Sequence, residues 1–208
     1  MNAFVLAGGQ STRMGRDKAL LDLGGSPLIE HALEKLRALG FSPHIAGSRP
    51  DLARFAPVVA DNHSQQGPLG GIEAALAASD AEQNFFLAVD LPWLPIAFLR
   101  WMIDRAGVTN ALATVPRLQG LPQPLCAIYR RAMLPHAQAT LAEGDAKVMR
   151  AVERAASATG LRIDSFDVES VAAAQGWPQT RPLHRWFDNL NTPADLNQAA
   201  LEQLPPIH

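Results

Sequence analysis

Phe85-Phe86-Leu87-Ala88-Val89-Asp90 decides how this chain is read. Five apolar residues run without polar alternation, the pattern of a strand covered on both faces. Such strands belong to parallel sheets wrapped by helices. An acidic residue closes the run, and Leu91-Pro92 turns the chain away. Working outward, Ala3 to Leu6, His44 to Gly47, Pro57 to Ala60 and Ala111 to Val115 read as further strands. Helices read between them. The first is capped by Ser26 with Pro27 at its first position, carries Leu28, Ile29, Ala32, Leu33 and Leu36 on one stripe, and stops at Gly40. Pro68 to Ala78 and Pro95 to Arg105 are the next two. The alternation predicts a three-layer α/β domain with a mostly parallel sheet, helices on both faces, and Phe85 to Val89 near the sheet centre.

The second half is less regular. Leu125 to Tyr129 and Leu161 to Ile163 read as strands, and Met133 to Leu141 and Ala146 to Ala156 as helices, with Asp145 as an N-cap. Gly176 to Arg185 reads as a loop, and Thr192-Pro193 opens a last helix. No linker separates two halves, so one domain over residues 1–208 is expected.

Composition narrows the class. The chain has 208 residues, 48% hydrophobic, with Lys+Arg 18 against Asp+Glu 20. No basic surface is implied, so nucleic acid is not an expected partner. A single cysteine, Cys126, excludes an intrachain disulfide, and its apolar neighbours make it a core residue rather than a nucleophile. The start lacks a basic segment, and its apolar part is short for a signal peptide. No apolar run reaches membrane-spanning length. A soluble cytoplasmic protein without membrane contact is expected.

The chemistry concentrates after the first strand, in Leu6-Ala7-Gly8-Gly9-Gln10-Ser11-Thr12-Arg13-Met14-Gly15-Arg16-Asp17-Lys18. Gly8, Gly9 and Gly15 let backbone N–H groups approach a ligand closely, and Arg13, Arg16 and Lys18 add charge. Such a loop suits a triphosphate. It is neither a Walker A loop, lacking Gly-Lys-Ser/Thr, nor a G-x-G-x-x-G dinucleotide loop. An ordinary strand-to-helix connection is the alternative. Asp90 stands at a strand's carboxyl end, where open α/β sheets bind ligands, and one carboxylate with substrate phosphates can hold Mg²⁺. Its alternative is a turn residue before Pro92. Lys18 is the cation best placed for phosphate, with a solvated loop lysine as the alternative. Asp61 follows the third strand and suits a base or ribose contact, or a turn beside Asn62. Gly67-Pro68-Leu69-Gly70-Gly71 opens a helix whose N–H groups can face an anion, or lets that helix pack closely. Strand alternation would put Asn189 and Asn191 on one face, serving a metal or substrate, or simply lead into a capped helix.

Together these segments resemble the molybdenum cofactor guanylyltransferase family. The resemblance rests on the L-A-G-G-x-S-x-R-M-G-x-D-K loop, the G-P-L-x-G-I start at Gly67 and the V-D-L-P strand end at Asp90. It extends to Q-P-L-C-A-I-Y at Gln123 and N-x-N-T-P-x-D-L at Asn189. It implies a Rossmann-like fold of the nucleotide-diphospho-sugar-transferase type. It implies transfer of GMP from GTP to the phosphate of molybdopterin or its molybdenum-loaded form, with Mg²⁺ as cofactor and pyrophosphate as the leaving group. By resemblance, Lys18, Asp90 and Arg13 are catalytic, and Asp90 holds the metal. Leu6, Ala7, Gly8, Gly9, Lys18, Ser48, Asp61 and Asp90 bind nucleotide, and Asn189 and Asn191 face the acceptor. Ser48 stands near where the family often has an asparagine. Contact with molybdenum-cofactor insertion and biosynthesis proteins is also implied. Relatives that use CTP typically have alanine where this chain has Gly8. The sequence leaves two other readings: a nucleotidyltransferase using CTP or a sugar phosphate, and a non-catalytic GTP-binding sensor.

Overall fold

The computed structural model describes residues 1–8, 17–63, 66–177 and 182–190. In chain order the elements are β1 (Asn2–Leu6), β2 (Asp22–Leu23), β3 (Ser26–Pro27), α1 (Leu28–Ala38), β4 (His44–Ala46), β5 (Val58–Val59) and α2 (Gly67–Ala78). There follow β6 (Gln83–Ala88), α3 (Ile96–Thr109), β7 (Ala113–Leu118), β8 (Leu121–Pro122), β9 (Cys126–Arg130) and α4 (Leu134–Ala142). The last are α5 (Val148–Thr159), β10 (Ile163–Asp167) and α6 (Val168–Gln175).

The main sheet runs β10-β7-β9-β6-β1-β4-β5, with β8 paired to β7. β6 is the middle strand of that path, as its apolar sequence predicts. Its alternate residues face opposite ways: Phe85 and Leu87 join one core and Phe86 the other. β1 does the same, with Ala3 and Val5 on one side and Phe4 and Leu6 on the other. α1, α3 and α6 cover the first face with Leu33, Leu36, Phe98, Met102 and Val168. α2, α4 and α5 cover the second with Leu69, Leu76, Leu141, Ala151 and Val152. The three layers are therefore as expected.

The sheet is mostly parallel but interrupted. β9 runs antiparallel to both β6 and β7, while β1 is parallel to β4 and β6, β4 to β5, and β10 to β7. Ser26 does not cap α1. It pairs with Leu23 in a two-residue hairpin, and extended Pro27 is the cap position (φ −71°, ψ 151°). Asp145 caps no helical turn of α5 either; its Oδ1 accepts from the Lys147 N–H at 2.9 Å, and the helix begins at Val148. Gly40 ends α1 as expected, in the left-handed region at φ +90°. α6 occupies a stretch in which the sequence suggested nothing regular, and residues 183–187 inside or beside the expected loop form a 3₁₀ turn. Residues 188–190 are irregular rather than a strand, and the helix expected from Thr192 lies outside the described residues. Cys126 is fully buried, and burial pushes its thiol up. Among the described residues no helix is long and apolar enough to cross a membrane.

Candidate active site

A cavity of about 320 Å³ opens beyond the carboxyl ends of β1, β4 and β6. Sheet register builds it. Leu6 pairs with Ala46 on one side and Ala88 on the other, so the three strands end level and their next residues share one rim. Leu6, Ala7 and Gly8 form its floor from β1, and Val89 and Asp90 come from β6. Gly67, Pro68 and Gly71 bring the N-terminus of the 12-residue helix α2 to the same space. The positive end of its dipole favours an anion there.

Lys18 and Asp90 meet across this rim. Lys18 Nζ donates to Asp90 Oδ2 at 3.0 Å, with side chains 25% and 18% exposed. Both groups remain in reach of solvent and of a ligand. Lys18 is held in place by its neighbours. It begins a 3₁₀ turn, Lys18–Leu20, whose cap is Asp17: the Asp17 carboxylate accepts from the Ala19 N–H at 3.0 Å. Ala19 is buried and anchors the turn in the core.

Arg49 is the residue that sequence reasoning missed. It follows β4, lines the cavity, and binds Asp17 and Asp51. Its Nη1 reaches the Ala7 carbonyl at 3.4 Å and Asp17 Oδ1 at 3.0 Å. Arg49 thus ties the β4 exit to the turn that carries Lys18. The available signal was Asp17 itself, an acid just before a lysine in a cationic loop. Gly47 was missed too. At φ +137° it sits in the left-handed region, and a Cβ there would lie 2.9 Å from the Gly8 nitrogen. The close approach of β1 and β4 at the rim requires glycine at this position.

Asp61 lines the same cavity. Its N–H is accepted by Ser48 Oγ at 3.1 Å, and its Oδ1 is buried with no hydrogen-bond partner among the described residues. Burial pushes its carboxyl pKa up. Ser48 does not reach the cavity wall; its hydroxyl holds the Asp61 backbone instead. Asn189 is exposed and does not line the cavity, although the next residue does approach the site: the Leu190 N–H donates to the Asp90 carbonyl at 3.4 Å. Gly9, Arg13 and Asn191 lie outside the described residues.

Asp90 fits a hard divalent cation by its chemistry: a partly exposed carboxylate oxygen already facing a positive charge. Among the described residues no group of three or more His, Cys, Asp or Glu side chains is placed to hold a metal. Oxygen ligands from a bound phosphate would complete such a site.

This fold, with a glycine-lined rim, a lysine and a carboxylate beyond parallel strand ends, defines a nucleotidyltransferase of the nucleotide-diphospho-sugar-transferase type. The family of MobA-like NTP transferase domains matches residues 3–159. The chain belongs to that family. It is 31% identical over 196 residues to a probable molybdenum cofactor guanylyltransferase of Carboxydothermus hydrogenoformans, covering 94% of this chain and 92% of the relative. It is 30% identical over 199 residues to the molybdenum cofactor guanylyltransferase of Syntrophotalea carbinolica, covering 95% and 89%. Among solved structures, molybdopterin-guanine dinucleotide biosynthesis protein A from Archaeoglobus fulgidus superposes with a TM-score of 0.77 at 26% identity, covering 97% of both chains.

Proposed function

We propose that this chain transfers GMP from GTP to the phosphate of molybdopterin. An acceptor phosphate oxygen attacks the α-phosphorus of GTP, a new diphosphate bond forms, and pyrophosphate leaves with the electrons of the broken bond. The observation that carries the reading is the Lys18–Asp90 pair beside the unpartnered Asp61 oxygen in one cavity. The curated relatives named for this activity support it.

The acceptor is already a phosphate and needs no deprotonation, so neither a nucleophile nor a general base is required of the protein. The work is charge neutralisation and in-line placement. Lys18 would exchange Asp90 for a phosphate oxygen, and Asp90 would exchange Lys18 for Mg²⁺. The bound cation would offset negative charge on the phosphates as pyrophosphate departs. The α2 N-terminus adds N–H donors to the same anion. The rim backbone of Leu6, Ala7 and Gly8 would flank the nucleotide, and the Asp61 carboxylate would accept from guanine N–H groups or a ribose hydroxyl. Gly9 and Arg13 would join the phosphates from the loop, and Asn189 and Asn191 would meet the acceptor beside Asp90. Ser48 would act through Asp61. On this reading the protein works in the cytoplasm as one functional domain and hands its product to cofactor-insertion proteins.

The test is incubation with GTP, Mg²⁺ and molybdopterin, with mass analysis of the pterin and an assay of pyrophosphate. A pterin heavier by one GMP is expected. Transfer to a sugar phosphate, or equal efficiency with CTP, would move the protein to another branch of the superfamily. Tight GTP binding with no pyrophosphate release would make it a sensor.

A further inference from the structure

Glu73 is buried in α2 at 3% exposure, and the proposed reaction does not use it. Its helix neighbours Ile72, Ala74, Ala75 and Leu76 are apolar and buried, so packing alone would favour an apolar side chain here. Burying a carboxyl is unfavourable unless its oxygens are bonded. Both are. Asn62 Nδ2 donates to Oε2 at 2.9 Å, and Gln138 Nε2 donates to Oε1 at 2.9 Å. The donors come from two other parts of the fold, the loop after β5 and helix α4.

The first of those donors is the immediate neighbour of Asp61. Asp61 is thus gripped from both sides: Ser48 Oγ takes its own N–H, and Glu73 takes the side chain of the next residue. Glu73 also lies two positions beyond Gly71, which packs against Asp61: a Cβ there would sit 3.5 Å from Asp61 Oδ1, an ordinary contact distance. The same helix therefore packs against the Asp61 carboxylate and braces its loop. A hydrogen-bonding site discriminates only when its acceptor is held still, because a loose one can swing to solvent when the ligand lacks a donor.

We propose that Glu73 is a positioning residue for base recognition: through Asn62 and Gln138 it holds the Asp61 carboxylate against the guanine edge, and so sets the preference for a base carrying a 2-amino group. The inference rests on the reading that Asp61 accepts from guanine. The donor pattern makes the network testable by substitution. Glu73→Leu removes both acceptors and leaves the Asn62 and Gln138 amides without this partner. Glu73→Gln keeps both bonds: its oxygen accepts from Asn62, and the Gln138 amide turns over so that its oxygen accepts from the new amide.

The experiment measures dissociation constants of the full chain for GTP and for ITP, which lacks the 2-amino group, both with Mg²⁺. Melting temperatures are taken in parallel. Asp61→Asn should reduce the GTP preference by about tenfold or more, the loss expected when a buried acceptor meets its donor poorly. Glu73→Leu should reduce it by roughly threefold to tenfold, with ITP binding changed less than about twofold, in line with a loosened acceptor. Glu73→Gln should keep most of the preference. If Asp61→Asn lowers the preference and Glu73→Leu leaves it at the wild-type value, Glu73 is only a structural residue and the proposal falls. It falls too if Glu73→Gln keeps the melting temperature but not the preference. An Asp61→Asn protein with unchanged preference overturns the base-contact reading on which it stands. Should Glu73→Leu not fold, Gln138→Ala removes one brace from the α4 side and reads the same ratio, with a smaller loss expected and no loss counting against the proposal.

Discussion

Two regions meet at Asp90 and are built on opposite principles. On the cavity side stand charges: Lys18 against Asp90, Arg49 between Asp17 and Asp51, and Asp61 with an oxygen unpartnered among the described residues. On the other side lies an aromatic plate. Phe98 of α3 touches Phe166, Trp177, Trp186 and Phe187 at ring separations of 5.6 to 6.4 Å, two of them edge-on. Trp101 packs edge-on to Phe166 at 4.8 Å. Arg105 is well used at this plate: it lies over Trp101 and Phe166 and makes two 2.7 Å bonds to Asp164. The plate is satisfied without a ligand and the cavity is not. The lesson is a division of labour. Trp186 and Phe187 hold the C-terminal segment on the body, and the same segment then sends the Leu190 N–H to the Asp90 carbonyl. The dry region fixes the frame in which the wet region's charges stay ready for exchange.

The largest expected effect breaks the dry side. Trp186 is 2% exposed, and Trp186→Ala should cost about 3–5 kcal/mol of stability, the range for truncating a buried large aromatic. Urea unfolding measures it. Turnover should fall as well, because the Leu190–Asp90 contact depends on that anchor. A loss below about 1 kcal/mol, the size of an ordinary substitution, would mean the plate is not an anchor.

A buried charge sharpens the contrast next. Lys35 of α1 is 2% exposed and donates to the Leu94 carbonyl at 2.7 Å. Burial lowers its pKa from 10.5 to about 8, with the nearby Cys126 acting weakly in the opposite direction. The folded pKa lies below the unfolded one, so between these values the unfolded chain binds more protons. Stability contributed by this site therefore rises with pH across that window, by roughly 3 kcal/mol in all. Cys126 and Tyr129, both pushed up by burial, act oppositely from the upper part of the same window onward, so the comparison must be with Lys35→Met. The stability of wild type relative to that variant should climb from pH 8 to 10.5. A flat difference would show that the lysine is charged alike in both states.

On the cavity side, Asp90→Ala should lower turnover by at least about tenfold, or ~1.4 kcal/mol in the barrier, and weaken the dependence on Mg²⁺. Its effect on folding should be small, because a partly exposed ion pair contributes only about 0–1 kcal/mol. Steady-state rates across a Mg²⁺ titration, with a melting curve, separate the two. A variant with unchanged rates and unchanged Mg²⁺ response would reject the metal role.

How much of this could be read beforehand follows the same divide. The sheet core was legible because Phe85 to Val89 carries its burial on both faces in the residue types themselves. The direction of β9 was not. Leu125 to Tyr129 is as uniformly apolar as a parallel strand, and nothing in such a run encodes which way it lies. The start of α1 was displaced by one residue because Ser26 looks like a cap, while its pairing with Leu23 comes from a hairpin too short to show a period. At the site, Asp61 and Asp90 were visible as charges after strand ends, and Lys18 as a cation closing the glycine-rich loop. Arg49 was hidden because its meaning depends on Asp17, a partner 32 residues away in sequence. Glu73 was hidden inside an apolar helix, where only its two amide donors explain it.

The smallest expected effect tests the rim at its two facing glycines. Gly47→Ala forces a Cβ to 2.9 Å from the Gly8 nitrogen at a left-handed φ, so folding itself should suffer. Gly8 differs. A Cβ there would meet the Gly47 Cα at 3.8 Å and Asp61 Oδ2 at 4.0 Å, ordinary contact distances, and its backbone lies outside the left-handed region. Gly8→Ala should therefore leave the melting temperature unchanged or slightly raised, since a compatible Gly→Ala change stabilises by about 0.4–1 kcal/mol. What the methyl takes is space beside Asp61. A purine should feel that loss more than a pyrimidine, and the preference for GTP over CTP should drop by about threefold to tenfold, toward the lower end of what one carbon in a pocket can do. Kinetics with each nucleotide under identical Mg²⁺ give the ratio. A stable Gly8→Ala protein with an unaltered ratio would show that room at the β1 end does not select the base, and the selection would then rest on the Asp61 acceptor alone.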